Sequence, residues 1–113
     1  MKRVKAIAVC GVVVISSAVA IGGDAGEQFA ALGRNVGTCI KTQAAIVSKK
    51  AVDLETAAIS VIARCRSETG AMRAFIYGGG LPNFVPRQGW WEKELEPDIL
   101  KTAREAVALE RTK

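Results

Sequence analysis

Three cysteines and no histidine define the chemistry within reach of this 113-residue chain. Without an imidazole there is no histidine base, no histidine ligand for zinc and no c-type haem attachment. Cysteine chemistry remains. Cys39 and Cys65 are too far apart for a Cys-x-x-Cys redox motif, and both fall in helical patterns that suit rapid thiol exchange badly. Ser60 and Ser67 also fall in helical patterns, with no histidine to activate them. Glu92, Glu94, Glu96 and Asp98 cluster without the spaced oxygen ligands of a calcium loop. The expectation is therefore a protein that is not an enzyme, with no catalytic residues, cofactor or metal. The chemistry assigned to the cysteines is a structural disulfide between Cys39 and Cys65.

Where that bridge forms depends on the start of the chain. Met1-Lys2-Arg3-Val4-Lys5 precedes an uncharged stretch from Ala6 to Gly23. Three cations before ~15 apolar residues match a secretory signal peptide, with small residues at Ala18-Val19-Ala20 for cleavage before Ile21. The expected organisation is a cleavable signal over 1–20 and one small helical domain over 21–113. A retained N-terminal anchor is the alternative. Lipidation of Cys10 is not expected, because it follows Val9 and lies too early in the apolar stretch. Cleavage leaves 93 residues, two cysteines and a formal charge of +2 in place of +5. An even cysteine count in an exported chain is the usual sign of a disulfide. The remaining cations are mixed with acids, so no basic face stands out for nucleic acid.

The spacing of the cysteines then constrains the fold. Their midpoint is position 52, inside the polar break Ser48-Lys49-Lys50-Ala51-Val52-Asp53. Two antiparallel helices turning there bring Cys39 beside Cys65, near the roughly 5.5 Å Cα separation a bridge prefers. One continuous helix would hold them about 39 Å apart. The first helix is predicted from about Asp24 to Lys49. Asp24 and Glu27 form a capping box, and Phe29, Leu32, Val36, Cys39, Ile40 and Val47 form an apolar stripe. The second is predicted as one helix from Asp53 to the Gly78-Gly79-Gly80 stop. Asp53 is its N-cap, Val52 and Ala57 its staple, and Leu54, Ala58, Val61, Ile62, Cys65, Thr69, Met72 and Ile76 its core face. A short third helix begins at Pro97, with Ile99, Leu100, Ala103, Val107 and Ala106 inward and its last residues frayed. Glu92-Lys93-Glu94 reads as ordinary charged surface. The fold class is all-α: a disulfide-stapled antiparallel hairpin, a glycine/aromatic-rich loop and a C-terminal helix.

Two features are left for contact with other molecules. Gly26, Ala30, Gly33 and Gly37 make a small-residue strip on the first helix, read first as close helix approach and second as a docking groove. The segment from Tyr77 to Trp91 holds four glycines, two prolines, both tryptophans and the sole tyrosine. It matches no nucleotide-binding loop. It is expected to fold back and cap the hairpin. Tyr77, Phe84, Arg87, Trp90 and Trp91 are the candidate partner-binding residues. The expected role is that of an exported envelope protein, periplasmic or secreted, acting through contact with another protein as an accessory or structural subunit. The alternatives are a membrane-associated protein, held by its N-terminal helix or by Trp90 and Trp91 at the headgroup level, and a secreted effector.

Overall fold

The computed structural model describes residues 25–113. The expected signal peptide and cleavage site, Cys10 and the expected Asp24 cap lie outside the described residues. Among the described residues the chain is helical without strands, as expected. Helix α1 spans Ala25–Val47, α2 Leu54–Arg64, α3 Arg66–Tyr77 and α4 Glu96–Arg111. No helix among the described residues is long and apolar enough to cross a membrane.

The hairpin turns over Ser48–Asp53, as the cysteine arithmetic requires. Cys39 and Cys65 are joined, with Cα atoms 5.9 Å apart. Asp53 caps α2 in extended backbone, its carboxylate accepting from the Thr56 N–H at 2.6 Å. The staple does not form as expected: Ala57 enters the core while Val52 stays exposed at the turn.

The turn has neither glycine nor proline. It is held from a distance instead. Arg111, at the end of α4, donates to the carbonyls of Ser48 (3.1 Å), Lys50 (3.1 Å) and Val52 (2.8 Å). The end of α4 is therefore not frayed, because its arginine caps orphan carbonyls that the turn cannot satisfy alone. Arg111→Ala is expected to cost about 1–2 kcal/mol, at the low end for charged hydrogen bonds because the guanidinium is exposed. Arg111→Lys should recover under half of that, since an ammonium lacks the fork that spans three carbonyls. The midpoint of urea unfolding measures both.

Arg111 also contributes to the Asp53 carboxyl, whose pKa lies below its ordinary 3.8. The largest cause is the Thr56 N–H, then the Thr56 hydroxyl; a small desolvation opposes them and the Arg111 charge assists. A carboxyl depressed on folding stabilises the fold fully above its unfolded pKa. That contribution is lost as pH falls through the folded value. Wild type should therefore lose more stability than Asp53→Asn as pH drops below about 4. Parallel thermal melts between neutral and acidic pH would show it; coincident pH profiles would refute it.

The second helix is not continuous. Cys65 leaves helical geometry (φ −106°, ψ 23°), its N–H shared between the carbonyls of Val61 and Ile62. Such a shared bond marks a helix end. The residue that carries the bridge is thus the hinge between α2 and α3. Beyond it α3 leans on α1, whereas α4 packs on α1 and α2 and scarcely meets α3. Helix α4 is consequently a third member of the core rather than an appendage to a hairpin.

The core is the stripe read from sequence, with additions. Val36, Ile40, Val47, Ala58, Val61, Cys65, Met72, Ile76, Ile99, Ala103 and Val107 are buried. Phe29, Leu32 and Ile62 pack at its edge, while Leu54 is exposed. Ala44, Ala57, Ala58 and Ala103 have no exposed surface. These alanines, rather than the glycine strip, sit where α1, α2 and α4 meet. A Cβ added at Gly33 or Gly37 would meet nothing within 4 Å, so no helix among the described residues approaches these two positions. The close-approach reading of the strip is corrected at Gly33 and Gly37.

Gly78-Gly79-Gly80 stops α3 as a Schellman motif. The Gly80 N–H reaches the Phe75 carbonyl at 2.8 Å and the Gly79 N–H reaches Ile76 at 3.3 Å. Gly79 has φ +85°, which favours glycine, and a Cβ on Gly80 would sit 2.6 Å from the Phe75 ring. The chain then folds back over the core through Leu81 and Phe84.

Candidate functional site

Because α3 leans away from α4 at Cys65, a cleft of about 690 Å³ opens between them. Four elements build it. The end of α2 and the start of α3 give Ile59, Ile62, Arg66, Gly70 and Arg73. These positions recur at three, four and seven, so one stripe runs through the hinge on a single face. The opposite wall is one turn of π-helix, Trp91–Leu95, followed by the first turn of α4 with Glu96 and Pro97. The π turn has a local cause. Pro97 has no N–H for the Lys93 carbonyl, and its ring would crowd that carbonyl in an α-helix. The wider turn, with the Glu96 N–H on the Trp91 carbonyl, relieves this. Helical structure thus begins before Pro97, earlier than the sequence suggests.

The floor is apolar, from Ile62, Leu100 and the buried Trp91, and Ile59 stands beside it 54% exposed. The rims are charged. Arg73 is paired with Glu92 at 2.6 Å and lies 5.4 Å from the Tyr77 ring centre and 6.0 Å from that of Trp91. Glu92 is therefore a partner of α3 rather than plain surface. Arg66 and Glu96 line opposite walls of the cleft; among the described residues neither side chain has a partner.

The aromatic candidates divide among different tasks. Trp91 is 4% exposed, and its backbone N–H donates to the Tyr77 hydroxyl at 3.0 Å. Trp90 is half-buried, edge-on to Phe84 with ring centres 4.9 Å apart. Phe84 is itself half-buried against the core. Neither indole stands free as an anchor. Arg87 is exposed and lines a second, shallower hollow of about 540 Å³ with Tyr77, Pro86 and Gly89. Arg73 separates the two hollows and borders both. The structure thus joins Tyr77 to Trp91 and Phe84 to Trp90, but does not gather all five residues at one surface.

Sequence reasoning missed Ile59, Arg66, Gly70, Arg73 and Glu96 as a group. The signal lay in the spacing of the α2–α3 stripe, of which only Ile62 was placed on the core face of one straight helix. The bridge offers no ligand set of its own. The Glu68 carboxylate lies within 4.8 Å of both sulfurs, but joined sulfurs have no thiolate to give a metal. The four acids from Glu92 to Asp98 do not converge on one point.

No protein-family model, curated protein or solved structure matches this chain. Function must therefore be argued from the cleft itself.

Proposed function

We propose that this chain is an exported, non-catalytic protein that works by holding a protein partner in the cleft between α3 and the start of α4. The observation that carries this reading is the cleft's composition: an open apolar floor between charged rims, with an exposed isoleucine at its edge. Such a surface suits a helix or strand that lays an apolar face down and meets charge at its margins. Export is supported by the cationic start and apolar stretch of the N-terminus and by a bridge that persists in an oxidising compartment. The protein acts in the envelope or outside the cell as an accessory or structural subunit.

Gly70 supplies the test. It lies on a helix facing the cleft, and a Cβ there meets no atom within 4 Å. Gly70→Leu should fill the cleft while improving helix propensity by roughly 0.5–1 kcal/mol. The expected result is an unchanged or raised unfolding midpoint together with at least ~10-fold less partner recovered by cross-linking in intact envelopes. Equal recovery from wild type and Gly70→Leu would overturn the cleft as the contact surface. Sequencing of the mature N-terminus should begin at Ile21; a start at Met1 would overturn cleavage.

A further inference from the structure

We propose that the partner in the cleft is a second copy of this chain, making a symmetric dimer; this rests on reading the cleft as a protein-contact surface. Two observations point to self-association. The first is the arrangement of charge. Arg66 lies on the α3 rim and Glu96 on the α4 rim, and among the described residues neither is paired. Arg73 and Glu92, by contrast, are already closed on each other. A twofold axis running through the cleft exchanges its two rims. Each Arg66 then meets Glu96 of the partner subunit, and both pairs form at once. A cleft with rims of one sign would repel its own copy, whereas this one is complementary to itself.

The second observation is an exposed aliphatic side chain on the same wall as Arg66. Ile59 is 54% exposed at the margin. The axis that sets Arg66 against Glu96 of the partner subunit also sets Ile59 against the α4 side of the partner's cleft, the side that Pro97 and Leu100 line. Covering Ile59 there removes an exposed aliphatic side chain from water. The charge pairs fix the register of the two chains, and the apolar contact supplies the attraction.

The test uses the mature, oxidised chain in sedimentation equilibrium. Wild type should dimerise. Arg66→Glu and Glu96→Arg, each alone, should weaken dimerisation at least ~10-fold by setting like charges together. The double reversal Arg66→Glu/Glu96→Arg should return within about threefold of wild type, which a merely unfolded variant cannot do. Ile59→Asp should abolish the dimer with the monomer's melt intact. A monomer at concentrations up to about 1 mM overturns the inference. So does a dimer indifferent to these substitutions, because it uses another face. If the chain is monomeric yet Gly70→Leu still loses an envelope partner, the second copy is wrong and the cleft reading survives. If the swap behaves as expected and envelopes yield only the chain itself, both stand.

Discussion

Replacing Cys39 and Cys65 together by alanine is expected to lower stability by about 3 kcal/mol, the cost of releasing a loop of this length in the unfolded chain. For a domain of this size that is a fall in Tm of roughly 10–20 °C. The effect is larger than that of a surface staple for a reason specific to this fold. Cys65 is the hinge residue between α2 and α3 and has no exposed surface. The bridge therefore ties the hinge to the middle of α1 and sets how far α3 leans from α4. Its loss should loosen the cleft as well as the fold. Cys65→Ala alone leaves a free thiol at Cys39 and a small void, so the double variant is the cleaner comparison. Equilibrium urea unfolding of wild type and the double variant measures the difference. A loss under about 1 kcal/mol would show that the buried alanine contacts among α1, α2 and α4 hold the hairpin without it. Peptide mapping without reductant should find Cys39 linked to Cys65 within one chain.

The hairpin was legible because two independent patterns agreed. The cysteine midpoint and the polar break fall at the same place, and only an antiparallel turn satisfies both. The inward stripes on α1 and α4 were legible for a similar reason, since apolar spacing survives whatever the helix packs against. What was not legible depends on contacts far apart in sequence. The hinge at Cys65 has no glycine or proline to announce it. The residues on both sides are good helix formers, and the bend follows from bridging and from packing against α1. The role of Arg111 was hidden too: a terminal arginine reads as solvated until the turn it caps is placed beside it. The glycine strip on α1 misled in the opposite direction. Gly33 and Gly37 looked like a close contact, yet the helices approach at Ala44, Ala57, Ala58 and Ala103, which buried a methyl group without losing helix propensity. The cleft was the least legible of all. Its wall is a stripe that changes from isoleucine to arginine along its length, and its opening is made by a bend the pattern does not encode.

Trp91→Ala should cost about 3–5 kcal/mol, the range for removing a large buried aromatic. Trp90→Ala should cost far less, about 1 kcal/mol, chiefly its edge-on contact with Phe84. Adjacent tryptophans in one sequence give no basis for choosing between them. The structure separates them by function. Trp91 is 4% exposed, closes one wall of the core, donates its backbone N–H to Tyr77 and underlies Arg73. Its removal opens the floor of the cleft and withdraws the platform beneath the Arg73–Glu92 pair, so three elements lose a common contact. Trp90 rests against Phe84 at the edge and can be lost with local rearrangement. The single-tryptophan proteins also differ in fluorescence. With Trp90 removed, the remaining emission should be blue-shifted and poorly quenched by acrylamide. With Trp91 replaced by phenylalanine, which keeps part of the apolar volume, the remaining emission should be redder and more readily quenched. If Trp90→Ala proves the more damaging substitution, the wrong indole has been placed under the cleft, and the wall that Arg73 and Glu92 form there would have to be reassigned.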